Sequence, residues 1–329
     1  MLVRAWGYVM RILVIGAGGM LGGKLIARLA QDGSICGRAI AHLTRADFMP
    51  CTPLVADFDV ETVAGDLSAP GVATRLLVGK PDLIFHLAAV VSGEAERDFD
   101  KGYRINLDAT RYLLEAARAA GHCPKIIFTS SIAVFGAPFP DAIEDDYFTT
   151  PLTSYGTQKA IGELLLGDYS RRGFVDGIAL RMPTVCVRPG LPNAAASGFF
   201  SNIIREPLVG LPAVLPVDDS VRHWFASPRA AVAFLMRAAE MDLGVLGARR
   251  TLTLPGLSCT VAEQIEALRQ IAGEKAVALI SRVPDPMIAR IVEGWPQNFD
   301  AARATGLGFE AEKDFNTIIH SHIDDELGG

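Results

Sequence analysis

The chain has 329 residues, a net charge of −6 and a hydrophobic fraction of 50%. This length is enough for one large or two modest domains with a substantial core. The acidic charge gives no indication of a basic surface for nucleic acid, and the longest apolar stretch, 83–91, is too short to cross a bilayer. We therefore expect a small molecule as the partner, with no nucleic acid and no membrane.

The five cysteines are dispersed along the chain and include no CxxC pair. An odd, dispersed set argues against a disulfide framework and against a zinc site. The first ten residues lack the apolar segment of a signal peptide, so we expect a cytoplasmic protein. His320, His322 and the acidic residues at 324–326 are clustered but have no third, well-spaced ligand. We interpret them as the solvated face of the last helix and predict no metal.

In the first half of the chain, short β-branched runs alternate with longer helical patterns, which is typical of βαβ units. The predicted strands are 11–15, 38–45, 60–64, 82–86, 125–129 and 177–181. Helices are predicted from the turn after the first strand to residue 29, and over 94–119 and 152–170. This order predicts an α/β fold with a Rossmann-type, doubly wound parallel sheet.

The regular alternation ends after Met182, where prolines become frequent. Amphipathic patterns predict later helices over 227–241, 261–272 and 311–326. We predict an NAD-binding Rossmann domain over 11–182, with returns to it near 221–254. Residues 183–329 are predicted to form a smaller C-terminal α/β lobe that binds the substrate.

A glycine-rich turn follows the first predicted strand, with Gly16, Gly19 and Gly22 in GxxGxxG spacing. Glycine is required where a chain turns sharply, where backbone meets a pyrophosphate and where a helix packs on a strand. The following helix would offer free N–H groups and a positive dipole end to the phosphates. The alternative is a strand–helix turn that is glycine-rich by chance. We predict that these glycines, with Met20 and Leu21, bind a dinucleotide.

An acidic residue that reads the ribose is expected about 20 residues further on, at the end of the second strand. Asp47 lies 25 residues after Gly22 and is the candidate. Arg45 could instead favour the 2′-phosphate of NADP, or could simply face solvent. We predict NAD rather than NADP.

The chemistry-bearing residues follow the fifth predicted strand, which ends in Thr129-Ser130-Ser131. Tyr155 and Lys159 are four residues apart, so they share one face of a helix. A free tyrosine has a pKa of about 10, and a nearby ammonium favours its ionised form. We predict that Tyr155 removes the proton of a substrate hydroxyl, that Lys159 lowers the pKa of Tyr155, and that Ser131 orients the substrate oxygen.

Together with Gly65-Asp66-Leu67, His86-Leu-Ala-Ala89 and Asn106, these motifs resemble the extended short-chain dehydrogenases/reductases of the epimerase/dehydratase branch. The resemblance implies that Lys159 also binds the nicotinamide ribose and that Asn106 steadies a long helix and a proton-relay water. It implies a homodimer through the helix that bears Tyr155. The further cofactor contacts that it implies are Asp66, Leu67, Leu87, Ala88, Ala89 and Pro183.

Longer runs at 89–96, 154–161, 168–174 and 188–197 resemble the D-erythronate dehydrogenases, a family that oxidises C2 of a four-carbon sugar acid with NAD. The resemblance implies a short sugar acid as the substrate. A carboxylate is best held by an arginine fork. The candidates are Arg188 and, preferably, Arg222, with Ser92 and Asn193 as partners for hydroxyl groups.

Three other activities are weighed against this one. A dehydratase would carry a carboxylate pair after Ser131, where this chain has Ile132 and Ala133. The core motif serves a nucleoside-diphosphate-sugar 4-epimerase equally well, but the segment after Arg222 lacks the His and Asp usual in such enzymes. A dinucleotide-sensing regulator would have no reason to retain both Tyr155 and Lys159. We therefore predict a dehydrogenase, with the epimerase as the main alternative.

Overall fold

The computed structural model describes residues 9–190 and 196–328, so Asn193 lies outside the described residues. The strands are β1 Val9–Ile15, β2 Ser34–Ile35, β3 Arg38–Asp47, β4 Asp59–Ala64, β5 Leu83–His86, β6 Lys125–Ser131, β7 Asp176–Met182, β8 Thr184–Val185, β9 Ala213–Leu215, β10 Arg222–Ala226, β11 Thr251–Thr253, β12 Leu257–Thr260 and β13 Ile280–Arg282. The helices are α1 Met20–Asp32, α2 Val72–Leu77, α3 Ser92–Arg97, α4 Phe99–Gly102, α5 Ala109–Ala120, α6 Ser154–Arg171, α7 Gly198–Leu208, α8 Pro228–Glu240, α9 Val261–Val277, α10 Pro286–Glu293, α11 Ala302–Gly306 and α12 Phe315–His322.

The main sheet has the order β11-β7-β6-β5-β1-β3, with β2 and β4 both paired to β3. Its pairs are parallel except for β2 with β3. The predicted doubly wound α/β sheet is confirmed. Because β1 and β5 are adjacent and all long strands run the same way, their carboxyl ends meet at one edge, where α/β folds bind ligands.

The predicted helix over 94–119 is wrong as a single element. Asp98 has φ −125° and ψ 85°, which ends α3, and its side chain caps α4 by accepting a hydrogen bond from the Lys101 amide. A π-helical turn, Tyr103–Asp108, then leads into α5. Such turns widen a helix locally and are frequent at functional sites.

A second, smaller group of elements follows β7. The order β12-β10-β8 forms a three-stranded sheet, and β9 pairs with β13. These strands pack with α7, α9 and α12 around Phe200, Phe225 and Ile265. By contrast, β11 pairs with β7, and α8 packs in the core of the main sheet. We therefore propose a division of the chain into a domain of residues 11–182, joined by α8 and β11, and a lobe from the remainder.

In the C-terminal cluster, His320 and the acidic residues at 324–326 are exposed, as expected, and His322 is the exception. His322 is only 3% exposed, and Asp325 pairs with Arg229 at 2.6 Å. Glu326 pairs with Lys24 of α1. These contacts tie the end of the chain to α1 and α8. Within residues 9–190 and 196–328, no cluster of side chains could hold a metal ion, and no helix has the length and apolarity to span a bilayer.

Candidate active site

A groove of about 600 Å³ opens at the carboxyl edge of the main sheet. The residues predicted to bind the dinucleotide that line it are Gly16, Gly19, Asp47, Asp66, Leu67, Leu87, Ala88 and Ala89. A second cavity of about 320 Å³, the catalytic cleft, shares Leu87 and Ala89 with the groove and so continues it. Of the other predicted cofactor residues, those that line the cleft are Met20, Leu21, Tyr155, Lys159 and Pro183.

The glycine turn allows backbone to approach more closely than any side chain would permit. Gly16 has φ +90°, and a Cβ there would lie 2.6 Å from the Ala88 nitrogen. Gly22 does not line the groove, because it packs α1 against the turn, where a Cβ would lie 2.1 Å from the Gly16 oxygen. No side chain caps the N-terminus of α1, and its first turn carries no acidic residue. Free N–H groups and the positive helix end therefore face the groove and fit the pyrophosphate of a dinucleotide.

Asp47 ends β3 at the rim of this groove. Its carboxylate accepts hydrogen bonds from the amides of Gly18 and Met49, each at 2.8 Å. Arg45 is 9% exposed and donates to the Thr52 carbonyl and the Thr62 hydroxyl. It therefore neither faces solvent nor lines the groove. The charged group at this rim is therefore a carboxylate, which can accept a hydrogen bond from a hydroxyl group, and not the Arg45 guanidinium.

Asp66 lies further along the groove, held by Ser68 and Arg104. The Ser68 amide and hydroxyl donate to its carboxylate at 2.8 and 2.5 Å, and Arg104 forms an ion pair with it. Burial alone would raise the pKa of Asp66, but these hydrogen bonds outweigh it and lower that pKa. Asp66 is therefore a fixed anion at this position.

Asn106, in the π-helical turn, joins the groove to the catalytic helix α6. Its Oδ1 accepts from the Val90 amide at 2.9 Å, and its Nδ2 donates to the Gln158 oxygen at 2.7 Å. Asn106 is 1% exposed, and Gln158 is fully buried. The role that the structure supports for Asn106 is to position the 87–90 loop relative to α6.

Helix α6 begins close to the end of β6. Thr153 caps it by accepting from the Gly156 amide at 3.1 Å. A Cβ at Gly156 would lie 2.1 Å from the Ala133 oxygen, so only glycine lets the helix approach this closely. The approach brings Tyr155 and Lys159 into the same cleft as Ser131. The Ser131 oxygen accepts from the Ala133 amide at 3.1 Å, and its hydroxyl is hydrogen-bonded to the side chain of Tyr155.

The electrostatics of the pair are set by burial. Desolvation raises the pKa of Tyr155 to about 12, against a smaller opposing effect of Ser131. Desolvation also lowers the pKa of Lys159 to about 7, with Glu163 acting in the opposite direction. The Lys159 ammonium donates to the Thr129 carbonyl at 2.7 Å and lies 5.7 Å from the centre of the Tyr155 ring. In the protein alone, therefore, Tyr155 is a protonated phenol, and the predicted lowering of its pKa requires further positive charge.

Glu163 belongs to a buried network beneath the catalytic pair. Arg181 of β7 binds its carboxylate with two nitrogens, Nε at 3.0 Å and Nη2 at 2.8 Å. The Ser130 hydroxyl donates to the same carboxylate at 2.5 Å. The arginine and the carboxylate are 6% and 3% exposed. Sequence reasoning did not find this network, although Glu163 stands one helical turn after Lys159.

The substrate side of the cleft contains Ser92 and Arg188, as predicted, but not Arg222. Arg222 donates to the Ser258 carbonyl at 3.1 Å and pairs with Glu263 at 3.3 Å. It lies in a separate surface depression beside Phe139. Because successive residues of a strand face opposite sides, it is His223, the next residue of β10, that enters the cleft.

Thr184, Ser197, His223 and Trp295 also line the cleft and were missed by sequence reasoning. Each comes from a different part of the chain, and of the four only Ser197 belongs to a run quoted above, the one at 188–197. The one available signal was the alternation of β10, which would have placed Arg222 and His223 on opposite faces. Among the described residues that line the cleft there is no carboxylate, while Lys159 and Arg188 supply cations.

Comparison with known proteins defines the class. A model of the NAD dependent epimerase/dehydratase family matches residues 12–245. The chain belongs to this family, as the motifs predicted, and NAD is its cofactor.

Within the family, the chain is 48% identical over 320 residues to the D-erythronate dehydrogenase of Cupriavidus necator, covering 96% of this chain and 98% of that protein. It is 40% identical over 318 residues to the D-erythronate dehydrogenase of Haemophilus influenzae, covering 97% and 100%. A solved structure described as the nucleoside-diphosphate-sugar epimerase from Agrobacterium tumefaciens has 62% identity and a TM-score of 0.95, covering 98% of this chain and 96% of that one. The chain is thus an NAD-dependent enzyme similar over its whole length to dehydrogenases.

Proposed function

We propose that this protein oxidises the C2 hydroxyl of a short sugar acid, D-erythronate or a close relative, to the 2-oxo acid. The observation that carries the proposal is a small cleft in which a half-buried arginine, Arg188, lies with Ser131, Tyr155 and Lys159. The full-length similarity to two D-erythronate dehydrogenases supports the same substrate class.

Arg188 is suited to an anionic substrate. Its Nη2 donates to the Ser197 hydroxyl at 3.1 Å, and no described carboxylate forms an ion pair with it. Burial, and to a smaller extent the neighbouring Arg205, lowers the pKa of Arg188. An anion placed beside this guanidinium relieves that penalty and forms charge-assisted hydrogen bonds. A substrate carboxylate is such an anion.

The reaction removes a proton from the C2 hydroxyl and a hydride from C2. NAD, which the glycine turn and the groove would hold, would supply the hydride acceptor and the positive charge of its oxidised ring. Tyr155 takes the hydroxyl proton, and Ser131 donates a hydrogen bond to the oxygen that becomes the carbonyl. Lys159 favours the ionised phenol as an ammonium, a form that Glu163 stabilises. The products are the 2-oxo acid, NADH and one proton.

A 4-epimerase of nucleoside-diphosphate sugars is the second candidate, because the same tyrosine and lysine serve it and the structure from Agrobacterium tumefaciens bears that description. The volume of the catalytic cleft, about 320 Å³, is at the small end for ligand cavities and favours a four-carbon acid. Oxidation accumulates NADH, whereas epimerisation does not.

The test is to incubate the protein with NAD and either D-erythronate or UDP-sugars. We expect NADH to accumulate, by its absorbance, with D-erythronate only. Conversion of a UDP-sugar to its epimer without net NADH would instead establish the epimerase.

A matched pair of variants tests the anion site. Arg188→Met should raise KM for D-erythronate about 10- to 100-fold, the range for hydrogen bonds to a charged group. It should change KM for the neutral analogue erythritol far less. Arg222→Met is the control and should leave both values nearly unchanged. A large increase in KM for D-erythronate alone in Arg222→Met would indicate that Arg222, and not Arg188, binds the substrate carboxylate.

We also propose a cytoplasmic homodimer. All five cysteines are free thiols, as expected in a reducing compartment. Leu164 of α6 is 74% exposed, and Phe99, the first residue of the neighbouring helix α4, is 57% exposed. Light scattering after gel filtration tests the dimer, and Leu164→Lys should shift the mass toward one chain.

A further inference from the structure

His223 is a buried histidine that the reaction described above does not use. It is 3% exposed, and its ring stacks on Phe200 with an interplanar angle of 5°. Its Nδ1 lies 3.0 Å from the Pro296 carbonyl oxygen, and its Nε2 lies 2.7 Å from the Thr184 hydroxyl oxygen. Both ring nitrogens therefore have a hydrogen-bond partner, one in β8 and one in the 294–296 loop.

These contacts determine which nitrogen carries the proton. A carbonyl oxygen can only accept, so Nδ1 must carry a hydrogen and donate it to Pro296. Desolvation lowers the pKa of His223 to about 4, so the ring is neutral near neutral pH. In the neutral ring Nε2 is then an acceptor, and the Thr184 hydroxyl must donate its only proton to Nε2.

The Thr184 hydroxyl is consequently limited in what it can do for a ligand. Thr184 lies in β8, paired with Phe225 of β10, and lines the catalytic cleft with Tyr155 and Arg188. Its proton is already committed to His223, so the oxygen presents only lone pairs to the cleft. A hydroxyl donor satisfies it, whereas a carboxylate oxygen would meet a second acceptor.

We propose that Thr184, fixed as an acceptor by His223, is a specificity residue that binds a second hydroxyl of the substrate, at C3 or C4. The inference rests on the proposed oxidation of a sugar acid and adds to it. Arg188 receives the carboxylate and Ser131 receives the C2 oxygen, so Thr184 selects 2-hydroxy acids that carry a further hydroxyl. Simple 2-hydroxy acids leave this acceptor unsatisfied and are poorer substrates.

The experiment compares kcat/KM for D-erythronate, 2,4-dihydroxybutanoate and 2,3-dihydroxybutanoate in three proteins. The wild type should prefer D-erythronate to the analogue that lacks the relevant hydroxyl by about 2- to 10-fold, as for one neutral hydrogen bond. Thr184→Val, which replaces the hydroxyl by a methyl, should reduce this ratio to about one. Thr184→Ser retains the hydroxyl and should retain the ratio.

Two kinetic results would overturn the inference: a ratio unchanged by Thr184→Val, or a ratio lost equally in Thr184→Ser. Oxidation of no sugar acid by the wild type would refute the proposed function instead. In that case the ¹⁵N chemical shifts of His223 still report its tautomer, and the tautomer tests whether Thr184 is fixed as an acceptor. A protonated Nδ1 with an unprotonated Nε2 is expected. The reverse tautomer would leave the Thr184 proton available to a ligand and would refute the proposal. NADH binding by each variant, measured by fluorescence, checks that the fold is retained.

Discussion

The cofactor groove and the substrate side of the cleft are built in opposite ways. The groove at the glycine turn is made of backbone: glycines that exclude any Cβ, free amides at a helix end and a loop at the end of β5. The substrate side is made of side chains from β8, β10 and the 294–296 loop, together with Arg188 and Ser197. A site made of backbone fits one cofactor shape that a whole family shares. In a site made of converging side chains, single substitutions can change the substrate that fits. The difference explains how one family keeps NAD while its members act on different substrates.

The largest expected effect lies where the two regions meet. Tyr155→Phe should lower kcat by about 10²- to 10⁴-fold, because the base is lost, while NAD affinity stays nearly unchanged. Steady-state kinetics and NAD titration measure the two quantities. A loss of both kcat and NAD affinity would show that Tyr155 also maintains the shape of the groove. The two regions would then not be independent at this residue.

Acid should destabilise the protein through two buried histidines, His86 at the end of β5 and His223 in β10. Burial lowers the pKa of His86 from 6.5 to about 3, with a further contribution from Lys159, and burial lowers the pKa of His223 from 6.5 to about 4. Below pH 6.5 the unfolded chain binds protons at these positions before the folded protein does, so stability falls as the pH falls. At about pH 5 each histidine accounts for roughly 2 kcal/mol.

The measurement is the free energy of unfolding in urea at about pH 7 and pH 5. His86→Gln and His223→Gln should each reduce the difference between the two pH values by about half of the combined histidine effect. An undiminished difference in both variants would assign the acid sensitivity to carboxylates.

The groove itself is tested by two adjacent glycines of α1. Gly22→Ala places a Cβ 2.1 Å from the Gly16 oxygen and should cost roughly 1–3 kcal/mol of stability, with weaker NAD binding. Gly23→Ala is the control, because a Cβ there meets nothing within 4 Å. It should be neutral or stabilising by up to about 1 kcal/mol. Equal effects of the two changes would mean that helix propensity, and not close approach, governs the turn.

The smallest effect concerns the ribose. Asp47→Ala removes the acceptor at the groove rim and its bonds to Gly18 and Met49, so NAD affinity should fall about tenfold. The ratio of kcat/KM for NAD to that for NADP should fall with it. An unaltered ratio would place the ribose reader elsewhere.

The same contrast determines what the sequence could predict. The parallel strands were found because buried parallel strands are continuous apolar runs. The glycine turn and the Tyr155/Lys159 pair were found because each is a local motif whose spacing carries its geometry. The short α2 and α7 and the break at Asp98 were missed, since tertiary packing decides such elements.

The substrate side was predicted less well for a physical reason. Arg222 and Arg188 look alike as cations in a sequence, and only the alternation of β10 and the pairing of β8 with β10 separate them. Thr184 and Pro296 become neighbours of His223 only in the folded chain. No local pattern contains that information.

The bonds of Asn106 have a consequence for the motion of the molecule. To release the Val90 backbone to solvent, the protein must break two hydrogen bonds to Asn106, whose Nδ2 also donates to Gln158 within α6. A surface loop would ordinarily open on its own within nanoseconds to microseconds. Here the 87–90 loop is held to α6 through a buried amide, so we expect it to open more slowly than a loop without such an anchor.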